Sequence, residues 1–164
     1  MYISAASCPK GPCCWNPFDP CDTASECRRP YGDHQGQYPF ADSRQSFFEG
    51  IKFAKAGNHL NDISSAIQAY AESFGYGVVR DLVGHGIGSH LHEEPEVPNF
   101  AQKRKGIKLV PGMTLAVEPM INIGTPNVAW MDDDWTVVTK DHSLSAHYEN
   151  TILITEGEPE ILSL

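Results

Sequence analysis

The segment Gly84–Pro95, with the sequence GHGIGSHLHEEP, constrains the fold of this chain more than any other. Its alternating glycines let the backbone approach neighbouring strands more closely than residues with a Cβ could. Pro95 would break a helix here, and the second histidine of an HExxH zinc helix is missing. We therefore expect His85 and His92 on a glycine-rich turn, where any metal site must be completed by residues from distant strands.

Two later carboxylates are candidates to complete such a site. Glu118 lies in AVEPM and Glu149 in SAHYENT. A carboxylate among strand residues is costly to bury unless it is paired or bound to a metal. Either glutamate alone could be a salt-bridged core residue, and His85 alone a satisfied histidine. The three together favour a mixed nitrogen and oxygen site for Mn, Fe, Co or Zn, whereas His92 better suits a hydrogen-bond donor to substrate.

Hydrophobic periodicity predicts two helices in residues 43–75. The first carries Phe47, Ile51 and Ala54 at helical spacing, with Gly57 as its C-cap. The second has Asn61 as its N-cap. Its apolar face consists of Leu60, Ile63, Ile67, Tyr70 and Phe74.

The remainder of the chain is rich in β-branched and aromatic residues, which predicts strands. The predicted strands are Val78–Val83, Met113–Glu118, Trp135–Thr139 and His147–Ile154, and Pro95–Gly112 is expected to be a long connection. Helices followed by a run of strands indicate an α+β fold, with the helices on one face of a mainly antiparallel sheet.

Length and charge limit the class of protein. A chain of 164 residues is long enough for one domain with a sizeable core. A formal net charge of −9 argues against nucleic acid or an anionic membrane as the main partner. No apolar run approaches the ~20 residues of a membrane span, and no signal peptide is recognisable. We therefore expect a cytoplasmic protein.

Residues 1–42 differ in composition from residues 43–164. They hold all five cysteines and six of the twelve prolines. The cysteine spacings miss the CxxC pairs of common zinc modules, and an odd number without an export signal argues against a disulfide framework. We expect residues 1–42 to be irregular or disordered and residues 43–164 to form the folded domain.

From about Arg44 to Leu164 the chain resembles the C-terminal half of a type I methionine aminopeptidase. The resemblance is carried by VVRDLVGHGIGSHLHEEPEVPNF, KLVPGMTLAVEPMINIG and DDDWTVVTKDHSLSAHYENTILITEG, which occur in the order and spacing of that family. It implies a truncated pita-bread (creatinase/aminopeptidase-like) fold. It also implies a metal-dependent aminopeptidase that removes the initiator methionine from nascent proteins.

The resemblance further implies roles for individual residues. His85, Glu118 and Glu149 match three of the five ligands that hold two divalent ions in the family. Glu118 would also shuttle the proton of the attacking water, and His92 would contact the scissile amide. Trp135 matches a residue near the methionine side-chain pocket, although a core tryptophan is an equal alternative. The implied partners are nascent polypeptide N-termini, with association with the ribosome left open.

The family's other two ligands are aspartates on an N-terminal hairpin that is not recognisable here. Asp22 and Asp33 have the required ten residues between them, but the intervening TASECRRPYG lacks the alternating pattern of a strand. The alternative to an active enzyme is therefore a catalytically impaired or inactive fragment that only binds a metal or a partner.

Overall fold

The computed structural model describes residues 39–163, so the cysteines and the candidate pair Asp22 and Asp33 lie outside the described residues. Two helices come first, α1 (Pro39–Ile51) and α2 (Leu60–Ser73). The strands that follow are β1 (Gly77–Val78), β2 (Gly84–Gly86), β3 (Glu93–Val97), β4 (Thr114–Val117), β5 (Met120–Asn122), β6 (Val128–Trp130), β7 (Val137–Thr139), β8 (Ser145–His147), β9 (Asn150–Leu153) and β10 (Glu160–Ile161). In this range no helix has both the length and the apolar character that crossing a membrane requires.

The strands form a five-stranded sheet in the order β10-β9-β4-β2-β3, a three-stranded sheet in the order β1-β5-β8, and the hairpin β6-β7. All their pairings are antiparallel. Both helices pack on one face of the five-stranded sheet, where Phe47, Ile63 and Ile67 meet Leu115 and Ile152 in one buried cluster. The predicted α+β fold, with helices on one face of an antiparallel sheet, is therefore confirmed.

Helix α1 carries the predicted buried face but has different ends. Pro39 begins it, because the fixed φ of proline suits the first helical turn, so the last four residues of the segment expected to be irregular are helical. The helix ends at Ile51, although Ala54 is also fully buried. The predicted C-cap is wrong, since Gly57 lies in a later turn with φ of 94° and donates its N–H to Leu109 O.

Helix α2 begins one residue before the predicted N-cap. Its N-cap is His59, whose N–H donates to Asp62 Oδ2 at 2.8 Å. Asn61 instead donates from Nδ2 to the carbonyl oxygen of Gln102 and accepts the N–H of Gln102 at Oδ1. The prediction is wrong because this tertiary contact occupies the asparagine side chain.

The buried face of α2 is confirmed at Leu60, Ile63 and Ile67. Phe74, predicted to continue that face, is 47% exposed because the helix ends at Ser73, and Ala71 is buried in its place. The partly exposed Tyr70 stacks against Phe74 with 5.1 Å between ring centroids. The turn at Gly75, with φ of 81°, ends the helix as predicted.

Three predicted strand and loop boundaries are wrong. Only Val78 of the predicted strand Val78–Val83 lies in a strand, because β1 ends there in one sheet and β2 begins in the other sheet at Gly84. The expected connection Pro95–Gly112 begins inside β3. The predicted strand Trp135–Thr139 begins two residues late, because Asp133 Oδ1 accepts the N–H groups of Trp135 and Thr136.

The predicted strand Met113–Glu118 matches β4, but the predicted strand His147–Ile154 is divided into β8 and β9. Strands β4 and β9 pair in the five-stranded sheet, and their continuations β5 and β8 pair in the three-stranded sheet. Both strands thus change sheet at the same level, which we call the strand junction (Glu118–Pro119 and Tyr148–Glu149). Proline has no N–H for a ladder, and at the junction Pro119 O accepts the N–H of Tyr148 at 3.1 Å.

Asp141 makes a pH-dependent connection between two loops. Its Oδ2 accepts the N–H of Thr125 at 2.7 Å and its Oδ1 accepts the N–H of Ser143 at 3.0 Å. The N–H of Thr125, and then the hydroxyl and N–H of Ser143, hold the pKa of Asp141 well below its usual range. A lowered folded-state pKa stabilises the protein above the unfolded value of about 3.9, and this stabilisation is lost as the pH falls below that value.

As the pH falls from about 5 to about 2, the range around the unfolded pKa, we expect the free energy of unfolding to decrease more for the wild-type protein than for the Asp141→Asn variant. The asparagine still accepts hydrogen bonds but does not titrate. Urea denaturation midpoints, measured for both proteins at each pH, test this. Parallel pH curves for the two proteins would contradict the proposed role of Asp141.

Candidate metal centre

The candidate site lies on the face of the five-stranded sheet that points away from the helices. Leu115 and Val117 of β4 pack in the helix-side cluster, so Ala116 between them faces the other way. His85 of β2 is the register partner of Ala116, and Thr151 of β9 is its partner on the opposite side. The His85 side chain therefore leaves the sheet on the same side as Ala116.

The glycines beside His85 allow β2 to lie between its two neighbours. A Cβ at Gly84 would lie 2.3 Å from Ala116 O, and a Cβ at Gly86 would lie 2.3 Å from Glu94 O. Both distances are far below van der Waals contact. The close backbone approach predicted from the glycine pattern is confirmed, but the predicted turn at His85 is wrong, because His85 lies in strand β2.

The two glutamates are neighbours because of strand register. Val117 of β4 is paired with Asn150 of β9. Glu118 follows Val117, and Glu149 precedes Asn150, so both carboxylates project from the strand junction. Both glutamates lie just outside the strands, because β4 ends at Val117 and β9 begins at Asn150.

Side chains from two other parts of the fold hold the backbone at the junction. The fully buried Asn99 donates from Nδ2 to Glu118 O at 2.9 Å. The fully buried Ser43 of α1 donates from Oγ to Pro119 O at 2.9 Å. The main chain of Glu118 is therefore fixed from both the helix layer and the loop after β3.

The donor atoms of His85, Glu118 and Glu149 lie within 4.8 Å of one another. His85 Nε2 is 3.6 Å from Glu118 Oε1, and both of these side chains are more than four-fifths buried. A divalent ion with ligand bonds of about 2.0–2.2 Å holds neighbouring donors roughly 3–4 Å apart. The 3.6 Å between His85 and Glu118 and the mixed nitrogen and oxygen donors both fit such an ion.

The orientation of the His85 ring also fits a metal ligand. Its Nδ1 lies 2.9 Å from Gly86 O. A carbonyl oxygen can only accept, so Nδ1 carries the proton in this hydrogen bond. In a neutral imidazole, Nε2 then carries no proton and its lone pair is directed at the site. A hydrogen bond from the other ring nitrogen fixes metal-ligating histidines in this arrangement.

His147 belongs to the site, although the sequence pattern did not single it out as a site residue. Its Nε2 lies 3.2 Å from Glu118 Oε2 and 4.0 Å from Glu149 Oε2. The nitrogen is buried and makes no hydrogen bond, so the short contact with Glu118 is not aligned as one. The signal that could have identified it was its position two residues before Glu149, on the same face of the predicted strand.

His92 lies beside the site, as the sequence led us to expect. Its ring centroid is 4.2 Å from that of His85, with 52° between the ring planes, and its side chain is exposed. Trp135 is 60% exposed, so the alternative of a core tryptophan is wrong. The roles of both residues toward a substrate stay predictions.

Comparison with known proteins identifies the family. A family model described as Metallopeptidase family M24 matches residues 35–156. The methionine aminopeptidase of Clostridium acetobutylicum is 59% identical over 122 residues, which are 74% of this chain and 49% of that protein. The methionine aminopeptidase of Escherichia coli is 44% identical over 122 residues, covering 74% of this chain and 46% of that protein.

Solved structures agree with this match. The crystal structure of methionine aminopeptidase from Thermotoga maritima superposes with a TM-score of 0.74 at 46% identity, covering 79% of this chain and 52% of that chain. The prolidase from Pyrococcus horikoshii, at 22% identity and a TM-score of 0.55, shares the fold alone. The pita-bread fold expected from the sequence is confirmed for the part that this chain contains.

The chain spans about half the length of the curated relatives it matches. Within it, the matched residues include both helices, strand β2 with His85, and the strand junction with Glu118 and Glu149. Such a match, over 74% of the chain, shows that the chain belongs to metallopeptidase family M24.

Proposed function

We propose that this chain provides a methionine aminopeptidase site, which hydrolyses the peptide bond after the initiator methionine of nascent proteins. The observation that carries the proposal is the meeting of His85, Glu118 and Glu149 at the strand junction. The proposal is supported by the sequence identity between this chain and proteins named methionine aminopeptidases.

The cofactor we propose is a pair of divalent ions drawn from Co, Mn, Fe and Zn, held in part by His85, Glu118 and Glu149. Divalent ions of this kind supply polarisation of the scissile carbonyl and acidification of water. The donor set supports this choice, because imidazole and carboxylate suit borderline divalent metals.

The remaining chemistry falls to the chain's own side chains. Glu118 accepts the proton of the attacking water and passes it to the departing amine, a general-base role for which its position at the junction suits it. His92, exposed beside His85, donates a hydrogen bond to the scissile amide. Trp135, which presents most of its ring at the surface, borders the pocket for the methionine side chain.

The substrate implies where the protein works. Initiator methionines are presented by nascent polypeptides in the cytoplasm, and we propose that compartment, at or near the ribosome, for this chain. The formal net charge of −9 gives no support for direct binding to ribosomal RNA, so contact with the polypeptide itself is proposed.

A second candidate function is metal or partner binding without catalysis. The observation that favours it is the composition of the metal-ligand cluster found among residues 39–163, which contains a histidine and two glutamates but no aspartate.

Methionine release from a Met-Ala peptide separates the two functions. The chain is stripped of metal, Mn²⁺ or Co²⁺ is added back, and Glu118→Ala serves as the blank. We expect metal-dependent release that the blank lacks, together with close to two ions per chain. A folded chain that binds metal without releasing methionine would overturn the enzyme proposal in favour of the binding function.

A further inference from the structure

We propose that Glu93 is a positioning residue, whose carboxylate holds the β2–β3 loop (residues 87–92) so that His92 stays beside His85. This inference rests on the role toward the scissile amide that is proposed for His92 above. The sequence pattern and the family resemblance assigned no role to Glu93.

The part of the loop that carries His92 lies at the surface. Residues 88–92 are all exposed, and the apolar side chain among them, Leu91, is 69% exposed. The start of the loop is held separately, because Ile87 donates its N–H to Thr114 O at 3.1 Å and accepts the Thr114 hydroxyl at its carbonyl oxygen. Beyond Ile87, the position of the loop therefore depends on polar contacts rather than on burial.

The side chain of Glu93 supplies such a contact. Glu93 begins β3 and is the register partner of Gly86, the last residue of β2, so it lies where the loop returns to the sheet. Its side chain turns back into the loop, and Oε1 accepts the N–H of His90 at 2.7 Å. A hydrogen bond to a charged acceptor is stronger than one between neutral groups. This bond fixes the backbone two residues before His92.

Gly88 makes room for the carboxylate. A Cβ at this position would lie 2.4 Å from Glu93 Oε2 and 3.1 Å from Oε1, so the carboxylate packs directly against the Gly88 backbone. Gly88 also donates its N–H to His90 O at 3.2 Å, which folds the loop around the carboxylate. Gly88 does not adopt the left-handed conformation, so space rather than backbone geometry requires glycine here.

These contacts determine whether the two imidazoles meet. The ring centroids of His85 and His92 are 4.2 Å apart, although His92 is exposed. His85 is fixed in β2, which pairs with β3 on one side and β4 on the other. The loop therefore sets the distance between the rings. A loop that adopts this arrangement for only part of the time lowers the apparent affinity for substrate by that fraction.

The other role for a carboxylate near the site would be to bind the metal. The metal-ligand cluster found among residues 39–163 consists of His85, Glu118 and Glu149 and does not include Glu93. The oxygens of Glu93 contact the loop backbone instead. Glutamine in place of Glu93 separates the two roles, because its carbonyl oxygen still accepts the N–H of His90 but carries no charge for a metal.

The first test measures the position of the loop without measuring activity. In the metal-free full chain, a nuclear Overhauser effect between the ring protons of His85 and His92 reports the 4.2 Å arrangement. We expect this effect in wild type and in Glu93→Gln, and we expect Glu93→Ala to lose it. Glu94→Ala is the matched control and should keep the effect, because Glu94 is the next carboxylate of β3 and is exposed.

Gly88→Ala removes the same contact from the other side. Its Cβ meets the end of a flexible side chain, so we expect it to displace the Glu93 carboxylate and leave the fold intact. It should also lose the Overhauser effect. In the Glu93→Ala background, Gly88→Ala should cause no further change, because the contact between the two residues is already absent.

The second test is the effect of these substitutions on methionine release from the Met-Ala peptide with added Mn²⁺. Glu93→Ala and Gly88→Ala should raise KM about 10-fold, the lower end of the loss expected for a hydrogen bond to a charged group. Their kcat should change less than about twofold, because bound substrate selects the ordered loop. His92→Ala should instead lower kcat, since it removes a contact to the reacting amide. Glu93→Gln should keep KM within about twofold of wild type, because it keeps the acceptor.

The outcomes separate this inference from the proposed function. An Overhauser effect that is missing in wild type or retained in Glu93→Ala overturns the positioning role and leaves the proposed function standing. Equal losses in Glu93→Gln and Glu93→Ala, or additive effects of Gly88→Ala and Glu93→Ala, also overturn it. If the wild-type chain releases no methionine, the proposed function fails, and the Overhauser effect alone decides whether Glu93 holds the loop.

Discussion

Replacement of Glu118 by glutamine is expected to abolish methionine release and to weaken Co²⁺ binding at least about 100-fold. This loss of affinity is larger than the loss that is typical when a residue that only orients a metal ligand is replaced. Glutamine keeps the shape of the side chain but removes its charge and its capacity to accept a proton. Both oxygens of Glu118 lie within 4 Å of an imidazole nitrogen, so the whole site loses its central donor. Calorimetric Co²⁺ titration and the peptide assay measure the two effects.

Glu156→Gln is the matched control, because Glu156 is exposed in the turn after β9. It should bind Co²⁺ as wild type does. Circular dichroism should show the same fold for both variants, because Glu118 lies outside the strand ladders and its backbone is held by Asn99. Wild-type Co²⁺ affinity in a folded Glu118→Gln protein would exclude Glu118 as a ligand.

Replacement of Phe47 by alanine should lower the free energy of unfolding by about 3–5 kcal/mol, the usual cost of removing a fully buried phenylalanine. Phe47 is fully buried between α1 and the five-stranded sheet. Its ring meets that of Phe48 at 5.2 Å and that of Tyr148 at 5.4 Å between centroids, in edge-on geometry. Urea denaturation followed by circular dichroism measures the loss.

Phe53→Ala provides the comparison, because Phe53 is 45% exposed in the turn after α1. It should cost less than about 1 kcal/mol, since substitutions near the surface have small effects. Equal losses for the two phenylalanines would show that α1 is not anchored on the sheet in the way described. Tyr148 belongs to the strand junction, so Phe47→Ala should also weaken Co²⁺ binding.

The helix faces were predictable from sequence because a period of 3.6 residues is a local property. Ile63 and Ile67 are buried where the period placed them. The helix ends were not predictable in the same way. The asparagine expected to cap α2 bonds instead to Gln102, which is distant in sequence, and the cap is made by His59. A residue suited to capping a helix can instead bond to a residue distant in sequence, and no local pattern predicts that contact.

The strands were located but not correctly divided. Alternating β-branched residues indicate that a segment is extended, but they do not indicate which strand it pairs with. The segment His147–Ile154 reads as one strand, yet its two halves pair in different sheets. Pro119 was the visible sign of this change on one strand, and the partner strand carries no equivalent residue.

The candidate ligands His85, Glu118 and Glu149 could be selected from sequence because residue type and motif restrict them strongly. The structure brings their donor atoms together. His147 was missed because a histidine on a strand has many ordinary explanations. Only the position of its buried nitrogen between two carboxylates distinguishes it.

The strand junction has an evolutionary consequence. The carboxylates of Glu118 and Glu149 lie where the chain passes from one sheet to the other. Substitution of either glutamate therefore removes no ladder hydrogen bond and opens no cavity in the core. Substitutions at these positions can therefore change the metal preference, or abolish metal binding, while the protein still folds. Such an arrangement lets one scaffold diversify its chemistry by point substitutions at a few positions.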